Sequence, residues 1–154
     1  MAKNKNLELK KRIYEESLRK QEALVKTSNE AMLQAQESAN EEKGALGEKF
    51  ESFREQCQLD RDMYAKQLQE AMTGYANLKQ IQVEKEYDKV TAGAVVITDT
   101  QSLFIAVSIG SIKVDSKNFF VISTQSPLYQ AMSGLKKDET FNFRDKNHKI
   151  IEVF

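Results

Sequence analysis

The chain has 154 residues, in which 23 lysines and arginines balance 23 aspartates and glutamates. This balance excludes the strongly basic composition typical of nucleic-acid-binding domains and the acidic composition of a solvating tail. Because 40% of the residues are hydrophobic but no apolar run reaches the roughly 18–20 residues that a membrane span needs, the sequence predicts a soluble, folded protein.

The location that the sequence favours is a reducing cytoplasm. Residues 1–12 are charged and contain no apolar stretch of the kind found in secretory signals, so no such signal is expected. Cys57 is the single cysteine and His148 the single histidine. An internal disulfide and a structural zinc site are therefore excluded.

The composition changes near Lys89. Residues 1–90 hold 16 basic and 17 acidic residues and no proline, which is typical of long helices. Residues 91–154 hold only 7 basic and 6 acidic residues and contain short β-branched and aromatic runs. We therefore predict a helical hairpin over residues 1–82, a linker over residues 83–90 and a sheet domain over residues 91–154.

The first predicted helix runs from about Leu7 to Asn40. An apolar stripe recurs every seven residues along it, at Leu18, Val25, Met32 and Ala39, with Leu24 and Ala31 alongside. Gly44 and Gly47 then interrupt the helical pattern. The link is short, so we expect the chain to reverse there, with a tip at residues 43–47.

The second predicted helix runs from about Glu48 to Lys79. Its apolar positions follow spacings of three, four and seven residues, at Phe50, Phe53, Cys57, Tyr64, Ala71 and Leu78. The two helices have similar lengths, which predicts an antiparallel coiled-coil hairpin. Polar residues such as Gln21 and Ser28 on the seam indicate a modest core.

The second half predicts a small antiparallel sheet with one short helix, so the fold class is α+β. The predicted strands are residues 92–98, 102–109, 118–124, 139–143 and 149–154. Ser126 suits an N-cap, Pro127 suits the first helical position, and Gly134 suits the end of the helix. A four-residue turn is predicted at residues 144–147.

The residues that carry catalytic chemistry are few. We interpret His148 as a solvated residue at a turn or strand edge, and Cys57 as a small core residue on the hairpin seam. The sequence contains no glycine-rich phosphate loop after a strand. We therefore expect that the protein is not an enzyme by itself.

The predicted hairpin tip is the better candidate for a functional site. Residues 37–55 have a net charge of −3, whereas residues 1–20 have a net charge of +4. Carboxylates near a tight turn, here Glu41, Glu42 and Glu48, offer the oxygen ligands that Mg²⁺ prefers. The alternative is that they only solvate the helix ends, where Glu48 also favours the N-terminus of the second helix.

A stretch of the second half resembles a known family. Residues 122–128 (Ile-Ser-Thr-Gln-Ser-Pro-Leu), followed by Ala131-Met132, Gly134 and Lys136, resemble the C-terminal domain of the bacterial Gre transcript-cleavage factors. Residues 93–96 look like the opening strand of that domain, and residues 150–154 look like its last strand. The family places an FKBP-like sheet domain after an antiparallel coiled coil, so the resemblance covers the chain in order.

This resemblance implies a transcription elongation factor that binds RNA polymerase. Such a factor inserts its coiled coil into the secondary channel, where acidic tip residues help hold a Mg²⁺ ion of the polymerase active site and backtracked RNA is cleaved. Glu41, Glu42 and Glu48 would be the tip carboxylates, and Ser126, Pro127 and Leu128 would face the polymerase. The resemblance implies no stably bound cofactor, no membrane, contact with nucleic acid only within the elongation complex, and a monomer.

The chain departs from the Gre pattern at the tip. Aligning the family's tip tyrosine with Phe50 places Lys43 and Leu46 at the two acidic positions of the family. Tyr129 also replaces the glycine that follows the Ser-Pro-Leu motif, and Asp138 replaces another glycine. These departures favour a second hypothesis, a regulator that binds the channel without stimulating cleavage.

A third hypothesis belongs to a different class. The coiled coil would serve a structural adaptor that binds other helices or a second copy of itself. A stable dimer paired through Phe50, Phe53 and Tyr64 would support this hypothesis.

Overall fold

Two long helices form the first half of the protein. The computed structural model describes residues 2–41 and 48–154, with side chains described for residues 5–38 and 51–154. Helix α1 spans Ala2–Glu41 and helix α2 spans Glu48–Lys79. The predicted bounds of the second helix are confirmed, whereas α1 begins before the predicted Leu7. The predicted tip at residues 43–47 lies outside the described residues.

The chain divides into two compact units. One consists of Met1–Lys20 together with Ala76–Phe154, and the other consists of Gln21–Tyr75. The unit that contains the sheet therefore also contains the beginning of α1 and the end of α2, which the sequence analysis assigned to the hairpin.

Within residues 21–75, α1 packs against α2. The side-chain amide of Gln21 donates a hydrogen bond to the Ala71 carbonyl (2.8 Å), and the Tyr75 hydroxyl donates one to Glu22 (2.9 Å). Cys57 and Ala71 are buried, as predicted. Leu24 and Phe53 are instead 49% and 46% exposed, so their prediction as seam residues is wrong. The buried residues of α1 in this unit are instead the polar Gln21 and Ser28, among the described side chains.

Six strands and one short helix form the second half, and this confirms the predicted fold class. The strands are β1 (Val95–Thr98), β2 (Ser102–Ala106), β3 (Gly110–Val114), β4 (Lys117–Ser123), β5 (Thr140–Phe143) and β6 (Lys146–Val153). Helix α3 (Pro127–Met132) lies between β4 and β5 in the chain.

The sheet is mixed rather than wholly antiparallel. Its strand order is β3-β4-β2-β1-β6-β5, and β4 pairs with β2 in parallel. The other four pairings are antiparallel. The parallel pair arises because β3, which the sequence analysis did not predict, runs between β2 and β4 in the chain but lies at the edge of the sheet. The prediction of a purely antiparallel sheet is therefore wrong at this one pairing.

The second strand was predicted over residues 102–109, but β2 ends at Ala106 and a separate strand, β3, begins at Gly110. Gly110 has a φ of +100°, a conformation that favours glycine, and it begins a new strand. Asp115 and Ser116, with φ values of 52° and 65°, then form the two-residue turn into β4. Positive φ at both central positions is typical of the turns that match the twist of a β-hairpin.

Each face of the sheet carries its own core. On one face Val95, Phe104 and Phe119 pack with Ile13 of α1 and Leu78 of α2. On the other face Leu103 and Ile150 pack with Met132 of α3. All the residues named here are at most 1% exposed. The strands alternate between the two cores, as the period of two in a β-strand requires.

Candidate functional site

The chain turns from β4 into α3 at residues 123–128, which we call the β4–α3 corner. Ser126 adopts an extended conformation there (φ −71°, ψ 144°), and its hydroxyl oxygen accepts a hydrogen bond from the Tyr129 N–H at 3.1 Å. Pro127 occupies the beginning of the helix, where a missing N–H costs nothing. The predicted cap and first turn are confirmed.

Two further hydrogen bonds hold the β4–α3 corner. The Ser126 N–H donates to the Ser123 carbonyl at 3.1 Å, and the Gln125 N–H donates to the Ser123 hydroxyl at 3.2 Å. The corner is thus built from backbone and hydroxyl groups that bond locally. Pro127, which makes none of these hydrogen bonds, is exposed to solvent.

Apolar residues precede and follow this corner in the chain. Leu128 and Ile122 are half-buried and pack against the core under α3. Phe120 lies two residues before Ile122 on β4 and therefore points to the same face, and its side chain is 41% exposed. Pro127 and Phe120 are the exposed apolar residues of the corner and of the strand that leads into it.

The end of α3 is fastened to the segment that precedes β1. Gly134, with a φ of +79°, donates its N–H to the Val90 carbonyl at 2.9 Å. The Val90 N–H donates in return to the Leu135 carbonyl at 2.8 Å. Gly134 thus follows the helix in the left-handed conformation expected of a residue just after a helix end, which agrees with its predicted role.

The side chains of the three predicted tip carboxylates, Glu41, Glu42 and Glu48, lie outside the described ones. Glu42 lies outside the described residues. Glu41 is the last residue of α1 and Glu48 the first residue of α2, but both side chains lie outside the described ones. A magnesium-directed role for these residues stays a prediction.

His148 is buried, so its interpretation as a solvated residue is wrong. Its Nδ1 lies 3.1 Å from the Thr100 hydroxyl and 4.0 Å from an Asp99 carboxylate oxygen, and its ring stacks on Phe141. The reason is the two-residue turn at Arg144 and Asp145, which lets β6 begin at Lys146 and places His148 opposite Phe141. Both polar neighbours face the same ring nitrogen, an arrangement that differs from a catalytic triad, in which the histidine bridges its two partners.

Sequence reasoning missed the role of Lys10. Its side chain is fully buried, and its ammonium group donates hydrogen bonds to the carbonyls of Lys85 (2.6 Å) and Phe154 (3.4 Å). The same group lies 4.5 Å from the centre of the Tyr87 ring. Burial lowers the pKa of Lys10 to about 8, although the negative charge of Glu86 acts in the opposite direction. No pattern in the sequence distinguishes Lys10 from the other basic residues near it.

The described part of the chain contains neither a helix that could cross a membrane nor a cluster of metal-binding side chains. Neither long helix, over residues 2–41 and 48–79, is apolar enough to cross a membrane. Among the described side chains, no group of three or more histidine, cysteine, aspartate or glutamate residues is placed to hold a metal ion.

Comparison with known proteins finds similar solved structures only. No family model matches the chain, and no curated protein matches it. A structure of the transcription factor Gfh1 is 12% identical, covers 90% of this chain and 93% of that one, and has a TM-score of 0.36. A structure of the GreA factor homolog 1 (Gfh1) protein of Thermus thermophilus is also 12% identical, and the TM-score is 0.32. The match covers 89% of this chain and 94% of that one. Likeness at this level assigns neither a family nor an activity to the chain.

Proposed function

We propose that this chain is a Gre-type factor that binds RNA polymerase, inserts its helical hairpin into the secondary channel and promotes cleavage of backtracked RNA. The observation that supports the proposal is the β4–α3 corner. There the Ser-Pro-Leu motif that resembles the Gre pattern follows a strand, caps a short helix and adjoins exposed apolar groups. The order of a helical hairpin before a sheet domain is the order that this family has.

In this proposal the β4–α3 corner contacts the polymerase. Pro127 and Phe120 provide apolar contact, and the hydrogen bonds of Ser126 keep the corner in one conformation before binding. A preformed surface loses little conformational entropy on binding. Glu41, Glu42 and Glu48 would provide oxygen ligands toward the Mg²⁺ of the polymerase, which itself supplies the catalytic site.

The docking part of the proposal is tested with Pro127→Glu. An acidic residue in the first turn of a helix is compatible with the helix dipole, so the fold is expected to persist while apolar contact is lost. We expect at least tenfold weaker binding to a bacterial RNA polymerase. Gln130→Glu, an exposed position on the same helix, introduces the same charge and serves as the control. If both variants bind the polymerase equally well, the β4–α3 corner is not part of the interface.

The cleavage part is tested on stalled, backtracked elongation complexes with Mg²⁺. We expect short 3′ RNA fragments to appear faster than with the polymerase alone, and the combined variant Glu41→Ala and Glu42→Ala to abolish this gain. Glu30→Ala, an exposed glutamate elsewhere on α1, is the matched control. Cleavage that survives the loss of Glu41 and Glu42 would contradict their assignment to the metal.

The second candidate is a regulator that occupies the channel without stimulating cleavage. Lys43 and Leu46, at the two positions where the Gre pattern has acidic residues, favour it. This candidate predicts no added cleavage but inhibition of cleavage by an authentic Gre factor. A protein that neither cleaves nor competes would contradict both candidates and favour the adaptor hypothesis.

A further inference from the structure

Among the side chains that the structure describes in residues 21–75, the buried ones include none that is large and apolar. The buried positions described there are Gln21 and Ser28 on α1 and Cys57 and Ala71 on α2. Small side chains pack almost equally well at several offsets between two helices. Burial of these residues alone therefore does not determine which residues of α1 and α2 lie side by side.

Gln21 is the exception among these residues. Its side chain is long, only 3% exposed, and its Nε2 reaches across to the Ala71 carbonyl at 2.8 Å. Its Oε1 is buried without a hydrogen-bond partner among the described residues. A buried polar atom without a partner costs free energy. Stability alone therefore does not account for a glutamine at this position.

Gly74 provides the space that Gln21 occupies. A Cβ at position 74 would lie 2.7 Å from Nε2 of Gln21, closer than non-bonded atoms approach each other. Gly74 is the one glycine in the sequence of α2, where a glycine weakens the helix. Next to it, Tyr75 donates its hydrogen bond to Glu22, which fixes the same alignment of the two helices.

We infer that Gln21 and Gly74 together set the register of the helical hairpin. A slide of α2 by one turn, about 5.4 Å, would replace Gly74 with a residue that carries a Cβ against the Gln21 side chain. In the observed alignment the end of the Gln21 side chain lies where α2 has no Cβ, whereas after such a slide this side chain would have to move away. Single polar residues buried in coiled coils are known to select one register at a cost in stability.

A thermodynamic cycle tests the contact. In the background Gln21→Ala, we expect Gly74→Ala to raise the Tm by roughly 2–4 °C, because alanine favours the helix and nothing occupies the space. In the natural background we expect the same substitution to leave the Tm unchanged or to lower it, because the glutamine must leave its site. An equal rise in both backgrounds would overturn the inference.

A distance measurement tests the register itself. Spin labels at Lys26→Cys and Gln58→Cys, both exposed positions, are attached in a Cys57→Ser background. Given the pairing of Gln21 with Ala71 and Gly74, these sites are offset by about ten residues, roughly 15 Å along the helices, so a slide changes their separation.

We expect one narrow distance distribution with Gln21 and Gly74 present. With Gln21→Ala and Gly74→Ala combined, we expect a second population displaced by several Å. An unchanged narrow distribution in the combined variant would show that the contact packs locally without selecting the register, and the inference would be wrong.

Discussion

Among single residues, Lys10 has the least usual environment. A lysine that is charged in water loses hydration when it is buried, and the carbonyls of Lys85 and Phe154 replace only part of it. The folded-state pKa of about 8 lies below the ordinary value of 10.5. Between these pH values the unfolded chain binds more protons than the folded chain. The contribution of Lys10 to the free energy of unfolding therefore rises with pH in this window.

This pH dependence is a testable consequence. Lys10→Met retains most of the side-chain volume but cannot titrate. We expect the difference in free energy of unfolding between the natural protein and this variant to shift by up to about 3 kcal/mol, in favour of the natural protein, between about pH 7.5 and pH 10.5. Urea unfolding at several pH values measures it. Lys26→Met, at an exposed position, is the control, and parallel profiles for all three proteins would contradict the prediction.

Ser126 provides a second prediction for a single residue. Ser126→Ala removes the oxygen that accepts the Tyr129 N–H, and we expect a loss of about 1 kcal/mol in the free energy of unfolding. Ser126→Asp retains a capping oxygen and should lie close to the natural protein. Equal losses in the two variants would indicate that the cap does not stabilise α3. Chemical denaturation distinguishes these outcomes.

At the level of the elements, the turn between β3 and β4 contains a residue in a strained conformation. Ser116 has a φ of 65°, which non-glycine residues adopt at a cost. We expect Ser116→Gly to raise the free energy of unfolding by about 0.5–1 kcal/mol, as measured by urea unfolding. Asn118→Gly, in strand β4, is expected to lower the free energy of unfolding by a similar amount. Asn118 has no positive φ, so glycine there only adds conformational freedom to the unfolded chain. A stabilised Asn118→Gly variant would refute this explanation.

The elements also show what the sequence can predict. The bounds of α2 and the cap at Ser126 follow from local signals, namely helical periodicity and a serine before a proline. Strand β3 was not predicted because Val107 and Ile109 continue the apolar character of β2, and only Gly110 marks the new strand. His148 is buried because it pairs with Phe141 on the neighbouring strand. Lys10 is buried against the carbonyls of Lys85 and Phe154, which lie far from it in the sequence. Such contacts are set by the tertiary fold and leave no local pattern.

At the level of the whole molecule, Ile13 and Leu78 are part of the core that lies on one face of the sheet. The sheet therefore depends on residues that the sequence analysis assigned to the hairpin. Polar contacts support the same arrangement, because Arg12 pairs with Asp115 at 2.7 Å and Asn6 donates to Glu152 at 2.9 Å. Residues 91–154 are consequently only part of a folding unit.

This dependence predicts an effect at a distance along the chain. We expect Ile13→Ala to cost about 2–5 kcal/mol, because a cavity forms in a packed core, and to reduce the hydrogen-exchange protection of Phe104 in β2. Leu33→Ala, at a position on α1 that is 51% exposed, should change both quantities very little. Full protection of Phe104 in the Ile13→Ala variant would contradict the assignment of α1 and β2 to one cooperative unit.

The pairing of β1 with β6 has a consequence for biosynthesis. Val95 exchanges hydrogen bonds with Phe154, and Lys10 donates to the same Phe154 carbonyl, so this unit closes only after residues 146–154 have left the ribosome. At about 5–20 residues per second, Ile13 then waits on the order of ten seconds for its packing partners. Until then, the apolar residues of this unit in a newly made chain, such as Ile13 and Phe104, are accessible to chaperones.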